Sequence, residues 1–508
     1  VIFMMVTAWS FPLSSVRPVL AQAPNIVRVG GPIVADTVWS NENIYVVESD
    51  ITVTPSVILT ITAGTVIKFM SNPPTSTVSL IVQGGLRVNP PPFKTFYLPF
   101  ILKAFSSPAA SLTLATSMQS PVVPTQAERV YFTSYQDDSV GGDTNGDGSA
   151  SSPQMGDWGG IVFENRSQDH ICSMYHFAIR YSGGLATARM GAIRLRNASP
   201  YLYDGEFLGN YLNGIEIPDV TWATDIWDAQ GIAYHVTSDL TIPRNQILTI
   251  NPGVVVKFAP TKRLSVEGTL NAIGSSSQPI IFTSLKDDSA LGDTNGDGPS
   301  TGQKEDWGGI LFKEESRLRP GAIGYAEIRY AGRAIFRDLA AIELENSSPT
   351  MHHITFVQNP YNGAQLKGNV SGEIGTMTLS STDVVYIVRG NDVTIRRNEM
   401  LTINPGVKLK MGFNRNLRVL GVLRAVGNTD AGYIVITSLE DDAPEAGGDT
   451  NNNGFNTTPA PGDWGGIIFD VSSDHTRNIL SHVRLRYGGR LNAGVIQLQN
   501  TEPTLSDI

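Results

Sequence analysis

Apolar residues along this chain come in short runs that alternate with polar positions and stop at Gly, Asn-Pro-Gly or Asp turns. Runs of three to five residues are too short for helices, and period-two alternation rich in β-branched side chains predicts strands. The runs return in a fixed order. YVVESDITV from Tyr45, YHVTSDLTI from Tyr234 and YIVRGNDVTI from Tyr386 each open a unit. LTITAGTVIKF from Leu59, LTINPGVVVKF from Leu248 and LTINPGVKLKM from Leu401 follow them. LIVQGGLRV from Leu80, LSVEGTLNAIG from Leu264 and LRVLGVLRAVG from Leu417 form a third layer. Gly64, Gly253 and Gly406 lie 189 and 153 residues apart, and the first step is longer because only unit one carries an insertion, at 89–128. The pattern places the units at 28–222, 223–378 and 379–508, the third cut short of the coils that end the other two.

After the third layer, YFTS, IFTS or VITS leads into an acidic loop rich in Gly and Asn, and Asp-Trp-Gly-Gly leads out into IVF, ILF or IIF. The step from Trp158 to Arg180, from Trp307 to Arg329 and from Trp464 to Arg486 is 22 residues each time. A sandwich would need tight two-residue hairpins, which are scarce here. A constant step with short strands predicts coils of a parallel solenoid, each strand pairing with its equivalent in the next coil. The acidic loops are then displaced along one axis. Asn197, Asn346 and Asn500 fall at coil corners, where Asn side chains can stack in ladders. Lys68, Lys257 and Lys410 interrupt apolar strands and are expected to point outward into solvent, discouraging edge pairing. Trp158, Trp307 and Trp464 are expected to anchor the loop where it rejoins the coil, with an aromatic sugar platform as the alternative.

The pattern resembles the right-handed parallel β-helix repeat proteins of bacterial cell surfaces and secretomes, over nearly all of the chain after Asn25. The resemblance implies an all-β solenoid of three long units with long acidic loops. It leaves function open, because the same fold serves lyases, adhesins and scaffolds.

Composition narrows the class. Hydrophobic residues make up 41% and charged residues 17% of 508, which excludes a disordered chain or a coiled coil. A net charge of −10 argues against nucleic acid as a partner and leaves room for divalent cations. The single Cys172 allows no intrachain disulfide. Residues 1–23 combine an apolar run with Ala21-Gln22-Ala23, as in a secretory signal peptide whose start is missing, so the expected location is extracellular or at the cell surface. No other run reaches the ~20 apolar residues of a membrane span. The insertion begins aromatic and apolar and turns rich in Pro, Ser and Thr, which predicts a long loop on the solenoid's side or a partner-binding patch.

The acidic loops carry the candidate chemistry. Asp143, Asn145, Asp147 and Gly148 form D-x-N-x-D-G; Asp293, Asn295, Asp297 and Gly298 repeat it; Asp449, Asn451, Asn453 and Gly454 vary it. Alternating oxygen donors before a Gly can wrap a hard cation, and Ca²⁺ takes six to eight oxygens in flexible geometry. These stretches resemble the start of EF-hand, dockerin and thrombospondin type 3 calcium loops. They depart from the EF-hand at position 12, where Gln154, Lys304 and Ala460 replace the bidentate Glu. Asp157, Asp306 and Asp463 before the Trp, or Asp138, Asp288 and Asp442 of the upstream Asp pairs, are candidates for the missing anionic ligand. Up to three Ca²⁺ sites are expected, with the third loop weakest because Asn453 stands in place of Asp. The alternative is a set of plain Asx turns. The functional expectation is a non-catalytic exported module, structural or adhesive, that meets glycan, matrix or a cell-surface protein. The alternative is a carbohydrate-active enzyme of β-helix type, for which Arg180, Arg329 and Arg486 are the residues to weigh; no G-x-S-x-G or H-E-x-x-H motif is present.

Overall fold

The computed structural model describes residues 25–72, 76–90, 129–184, 190–218, 224–334, 337–429, 432–454 and 456–508. The leader at 1–23 and nearly all of the insertion at 89–128 lie outside the described residues. Among the described residues there is no α-helix, only short 3-10 turns such as Glu314–Ser316. Nearly every ladder is parallel. Val66–Phe69, for example, pairs with Asn43–Val53 of the coil before it and with Val130–Ser134 of the coil after it. The protein is an all-β parallel β-helix.

The alternation in the sequence becomes an inside and an outside. Ile58–Ile61, Ile247–Ile250 and Met400–Ile403 share one burial pattern: the second and fourth residues are buried and the first and third are partly exposed. Each fully buried Leu or Ile contributes about 1.5–3 kcal/mol relative to an exposed one. One buried apolar cluster runs from Trp39 to Val483, so the units share a core. Corners are made by non-Gly residues held at positive φ, and these recur too: His176, Tyr325 and His482 at 48°, 45° and 53°; Tyr181, Tyr330 and Tyr487 at 60°, 59° and 61°. Asn197, Asn346 and Asn500 take the same left-handed corner at 54°, 53° and 49°. Asn197 Nδ2 donates to Asn165 of the coil before it at 2.6 Å, an Asn–Asn rung, whereas Asn346 bonds Glu314 and the Gly375 N–H.

The unit and the coil are out of phase. Gly160–Phe163, on which the first acidic loop lands, stacks through Gly191–Leu195, Leu212–Ile217, Tyr234–Val236 and Val255–Phe258 onto Ile280–Ser284. The second loop departs from that last strand. In the same way Ile310–Phe312, where the second loop lands, stacks through Ala340–Leu344, Tyr361–Leu366, Tyr386–Val388 and Lys408–Met411 onto Ile434–Ser438, the start of the third loop. The loops are therefore displaced along the axis and also step around it by one strand column per unit.

Candidate metal centre

Each loop starts from a buried turn. Thr133, Thr283 and Thr437 donate their hydroxyls to Asp137, Asp287 and Asp441, all at 2.6 Å. The first Asp of each pair is thereby a structural cap, and the second is turned into the loop. The D-x-N-x-D-G turn closes on its own first residue. Asp293 accepts the Gly296 N–H at 2.7 Å and the Gly298 N–H at 3.0 Å, and Asp143 accepts the matching bonds from Gly146 and Gly148 at 2.7 and 2.9 Å. The Gly148 N–H is the largest cause holding the Asp143 carboxyl below the usual carboxylate range. These glycines sit at φ of 66–85°, which suits a residue without Cβ.

Folding of the loop then brings three carboxylates together. One oxygen each of Asp138, Asp143 and Asp147 lie within 4.8 Å of one another, as do those of Asp288, Asp293 and Asp297. Within these groups Asp138 Oδ1 and Asp288 Oδ1 are buried atoms with no hydrogen-bond donor, and so is Asn295 Oδ1. A buried carboxylate oxygen without a donor costs several kcal/mol unless a cation takes the donor's place. These two clusters can hold a metal ion.

The third loop reaches a similar end by another route. Asp449 accepts the Asn453 and Gly454 N–H groups at 3.1 and 2.8 Å, and both oxygens of Asp442 are buried without a donor. Burial, with Asp449, Glu440 and Asp441 nearby, pushes the Asp442 carboxyl up against the pull of Lys410. Asn453 brings no charge, but Glu440 does. Its Oε2 accepts from Asn451 Nδ2 at 2.8 Å and Asn453 Nδ2 at 3.4 Å, while Oδ1 of both amides is left buried and without a donor. Glu440 occupies the position of Gln136 and Lys286 in the other units, two residues before the second Asp.

Asp157, Asp306 and Asp463 have other work. Each Oδ2 accepts a serine hydroxyl, from Ser134, Ser284 or Ser438 at 2.6–2.7 Å, and a backbone N–H three residues upstream at 2.9–3.0 Å. They lock the loop's exit to its entry strand. The tryptophans beside them are fully buried, and each Nε1 donates across one coil to the carbonyl of Arg180, Arg329 or Arg486 at 2.7–2.8 Å. Trp158 stacks on Phe69 and Trp307 on Phe258, with centroids 3.9 and 4.1 Å apart, so these rings offer no face to a sugar. The 22-residue step is thus one coil closed by a hydrogen bond. The three arginines are equally occupied: Arg180 pairs with Glu206 at 2.9 Å, Arg329 with Asp287 at 3.3 Å and Arg486 with Glu445 at 3.1 Å.

The lysines correct the expectation of solvated side chains. Lys68, Lys257 and Lys410 are fully buried beneath the loops, and each Nζ donates to a loop carbonyl, Gly142 at 2.6 Å, Gly292 at 3.0 Å or Gly448 at 2.5 Å. The strand does point them away from the core, but the loop folds back over them. Burial lowers all three amines, Lys257 and Lys410 to about 8, against the opposing pull of the loop carboxylates. A lysine amine therefore underlies each acidic cluster and, in its charged form, offsets part of its repulsion.

A receptor for the loops lies outside the acidic stretches. Asn210-x-x-Asn213-Gly and Asn359-x-x-Asn362-Gly are the same motif, and each seats the acidic loop of the following unit. Asn213 N–H donates to the Thr294 carbonyl and Asn362 N–H to the Thr450 carbonyl, both at 2.7 Å. Asn452 Nδ2 reaches the Asn359 carbonyl at 2.9 Å, and Lys304 of the second loop reaches the Asn452 carbonyl at 2.6 Å. In the first loop Tyr135 supplies the bond instead, donating to the Thr144 carbonyl at 3.1 Å.

Another buried titratable group departs from the repeat. Asp225, pushed up to about 7 by burial, stands where units one and three have Thr37 and Met377. Its oxygens accept from Ser199, Ile226 N–H and Trp227 Nε1, a structural set of partners.

Comparison with known proteins adds little. No family model and no solved structure matches the chain. A stretch of 84 residues, 16% of the chain, is 36% identical to the Drosophila melanogaster protein named Protein bark beetle, of which it covers 2%. So small a share leaves activity and partners to be argued from the geometry.

Proposed function

We propose that this chain is a non-catalytic, exported structural or adhesive module, a stiff β-helix whose acidic loops bind calcium and clasp successive units together. The observation that carries the metal reading is the set of buried, donor-less oxygens on Asp138, Asp288 and Asp442, the same position in three loops. Ca²⁺ suits them because it accepts many oxygens at relaxed geometry, and the loops offer carboxylates, amides and carbonyls but no thiol. The clasp follows from the seating of the loops. A cation that fixes Asp288, Asp293 and Asp297 also fixes the Thr294 carbonyl on Asn213 of the preceding unit. Unit two would then be tied to unit one, and unit three to unit two, at points that wind around the rod. A stiff extended rod suits display of loops to glycan, matrix or another surface protein. No helix among the described residues is long and apolar enough to cross a membrane. The enzyme alternative has its three arginines committed to ion pairs, with Glu206, Asp287 and Glu445.

Extracellular modules bind Ca²⁺ with dissociation constants of ~0.1–1 mM. At tenfold excess each site adds roughly 1.4 kcal/mol, felt mainly by the flanking coils. Titration calorimetry should therefore register millimolar-range binding, and chelator should speed proteolysis within the loops. Asp293→Asn with Asp297→Asn should remove the site in unit two and leave unit one responsive. Absence of both heat and protection at 10 mM, a deliberate excess over that range, would overturn the metal reading.

A further inference from the structure

The repeat supplies its own baseline, against which a functional departure stands out. Ten residues after the loop tryptophan, units one and three carry Gln168-Asp169-His170 and Asp474-His475-Thr476, while unit two carries Arg317-Leu318-Arg319. The neutral or acidic corner becomes dibasic. All three residues of that corner are exposed, Leu318 by 86%. Among the described residues neither Arg317 nor Arg319 has an ion-pair or side-chain hydrogen-bond partner, on a chain whose net charge is −10.

Two clefts of about 400 Å³ each flank this corner and meet at it. One is lined by Arg319, Glu267 and Thr269, the other by Arg317 and Glu314, and both share Leu318 and the Arg244–Glu315 ion pair. Leu318 is thus a ridge between two hollows, each holding one uncommitted guanidinium and at least one carboxylate. Beside them Arg396, from a later coil, pairs with Glu314 at 3.5 Å, and its Nε is buried without an acceptor.

We propose that these paired clefts bind an acidic oligosaccharide, two neighbouring anionic sugar residues seated on either side of Leu318. Planar guanidinium groups recognise carboxylate or sulfate by parallel hydrogen bonds. Glu267 pairs with Lys313 and Glu315 with Arg244 through Oε1, and the second oxygen of each accepts from sugar hydroxyls, while Leu318 packs against the apolar face of a ring. A polyphosphate chain would meet the same arginines, but it offers no donor to the two glutamates, and its denser charge is repelled by them more strongly. The inference deepens the adhesive reading above, on which it relies for exposure to glycans, yet the clefts lie apart from the acidic loops.

The test is calorimetry of the full chain with a tetra-uronate, a sulfated tetrasaccharide, maltotetraose and tripolyphosphate, with calcium and with chelator. Binding of the uronate or the sulfated sugar but not of maltotetraose is expected, and which of the two binds tells carboxylate from sulfate recognition. Arg317→Gln with Arg319→Gln should weaken it at least about tenfold, and Leu318→Ser by a smaller factor; both positions are exposed, so an unchanged melting temperature checks the fold. Failure of both acidic sugars to bind, equal binding by the double variant, or equal binding of maltotetraose or tripolyphosphate would each overturn the proposal. The Asp293→Asn, Asp297→Asn variant should keep the sugar affinity. Sugar binding without calcium binding would sink only the metal reading, and calcium binding without sugar binding only this one.

Discussion

The second and third acidic loops reach one electrostatic end by different residues. In the second, three carboxylates converge and Lys286 stands at the loop's entrance; in the third, Asn453 replaces Asp297 and Glu440 replaces Lys286. The acid has moved from the turn to the strand end. From there Glu440 takes the amide hydrogens of Asn451 and Asn453 and leaves their oxygens facing the cluster. Ranking the sites by ligand letters alone makes the third the weakest. Counting charge in space narrows the gap, because Glu440 returns the charge lost at Asn453.

That comparison can be broken by transplanting it. Asp297→Asn alone should weaken Ca²⁺ at the second loop by about 30-fold, since affinity follows ligand charge. Adding Lys286→Glu should bring it back to within a few-fold. A double variant as weak as the single one would show that Glu440 is not part of the third site. Next in size, Glu440→Gln should cost the third loop about tenfold in Ca²⁺ affinity, read by calorimetry, while Lys286→Gln leaves the second loop no weaker.

The buried lysines sharpen the same contrast from below. Lys257→Met removes the cation under the second cluster and nearly keeps its volume. Calcium should then bind several-fold tighter, while the calcium-free protein melts lower because the carboxylates repel with less relief. If both quantities stay fixed, the lysine acts only as a peg for the Gly292 carbonyl.

The smallest effect is a pH dependence confined to unit two. His235 stands where units one and three have Val46 and Ile387, fully buried between Glu216 and Lys257 on the adjoining strands, with both ring nitrogens unbonded. Burial, aided by Lys257, lowers its pKa to about 3. The unfolded chain takes up a proton near pH 6.5 and the folded one does not, so this residue's contribution to stability is lost as pH falls from about 6.5 toward about 3. Between pH 6.5 and 5.5 the loss is about 1 kcal/mol. Asp225, raised to about 7, works in the opposite sense, being best tolerated folded when protonated, so the difference between wild type and His235→Ile isolates the histidine. Parallel melting curves for the two proteins over that range would refute it.

Period-two alternation, Gly and Asn turns and the constant 22-residue step were enough by themselves to specify a parallel β-helix and to mark the loops, because strand pairing and inward stacking are local consequences of pattern. The D-x-N-x-D-G turn was equally legible, since Asp143 and Asp293 close it on their own backbone. Tertiary structure alone decided what covers what. Strand alternation shows that Lys257 points away from the core, but only the returning loop makes that outside a buried place. Asp306 and Asp288 are both acids flanking one turn, and only the path of the chain gives one to Ser284 and the other to the cluster. The mismatch of unit and coil, which seats each loop on the Asn-x-x-Asn-Gly of the unit before it, depends on contacts between residues about 80–90 positions apart. Local pattern carries no information at that range, because it fixes which way a side chain faces and not which distant segment arrives to meet it.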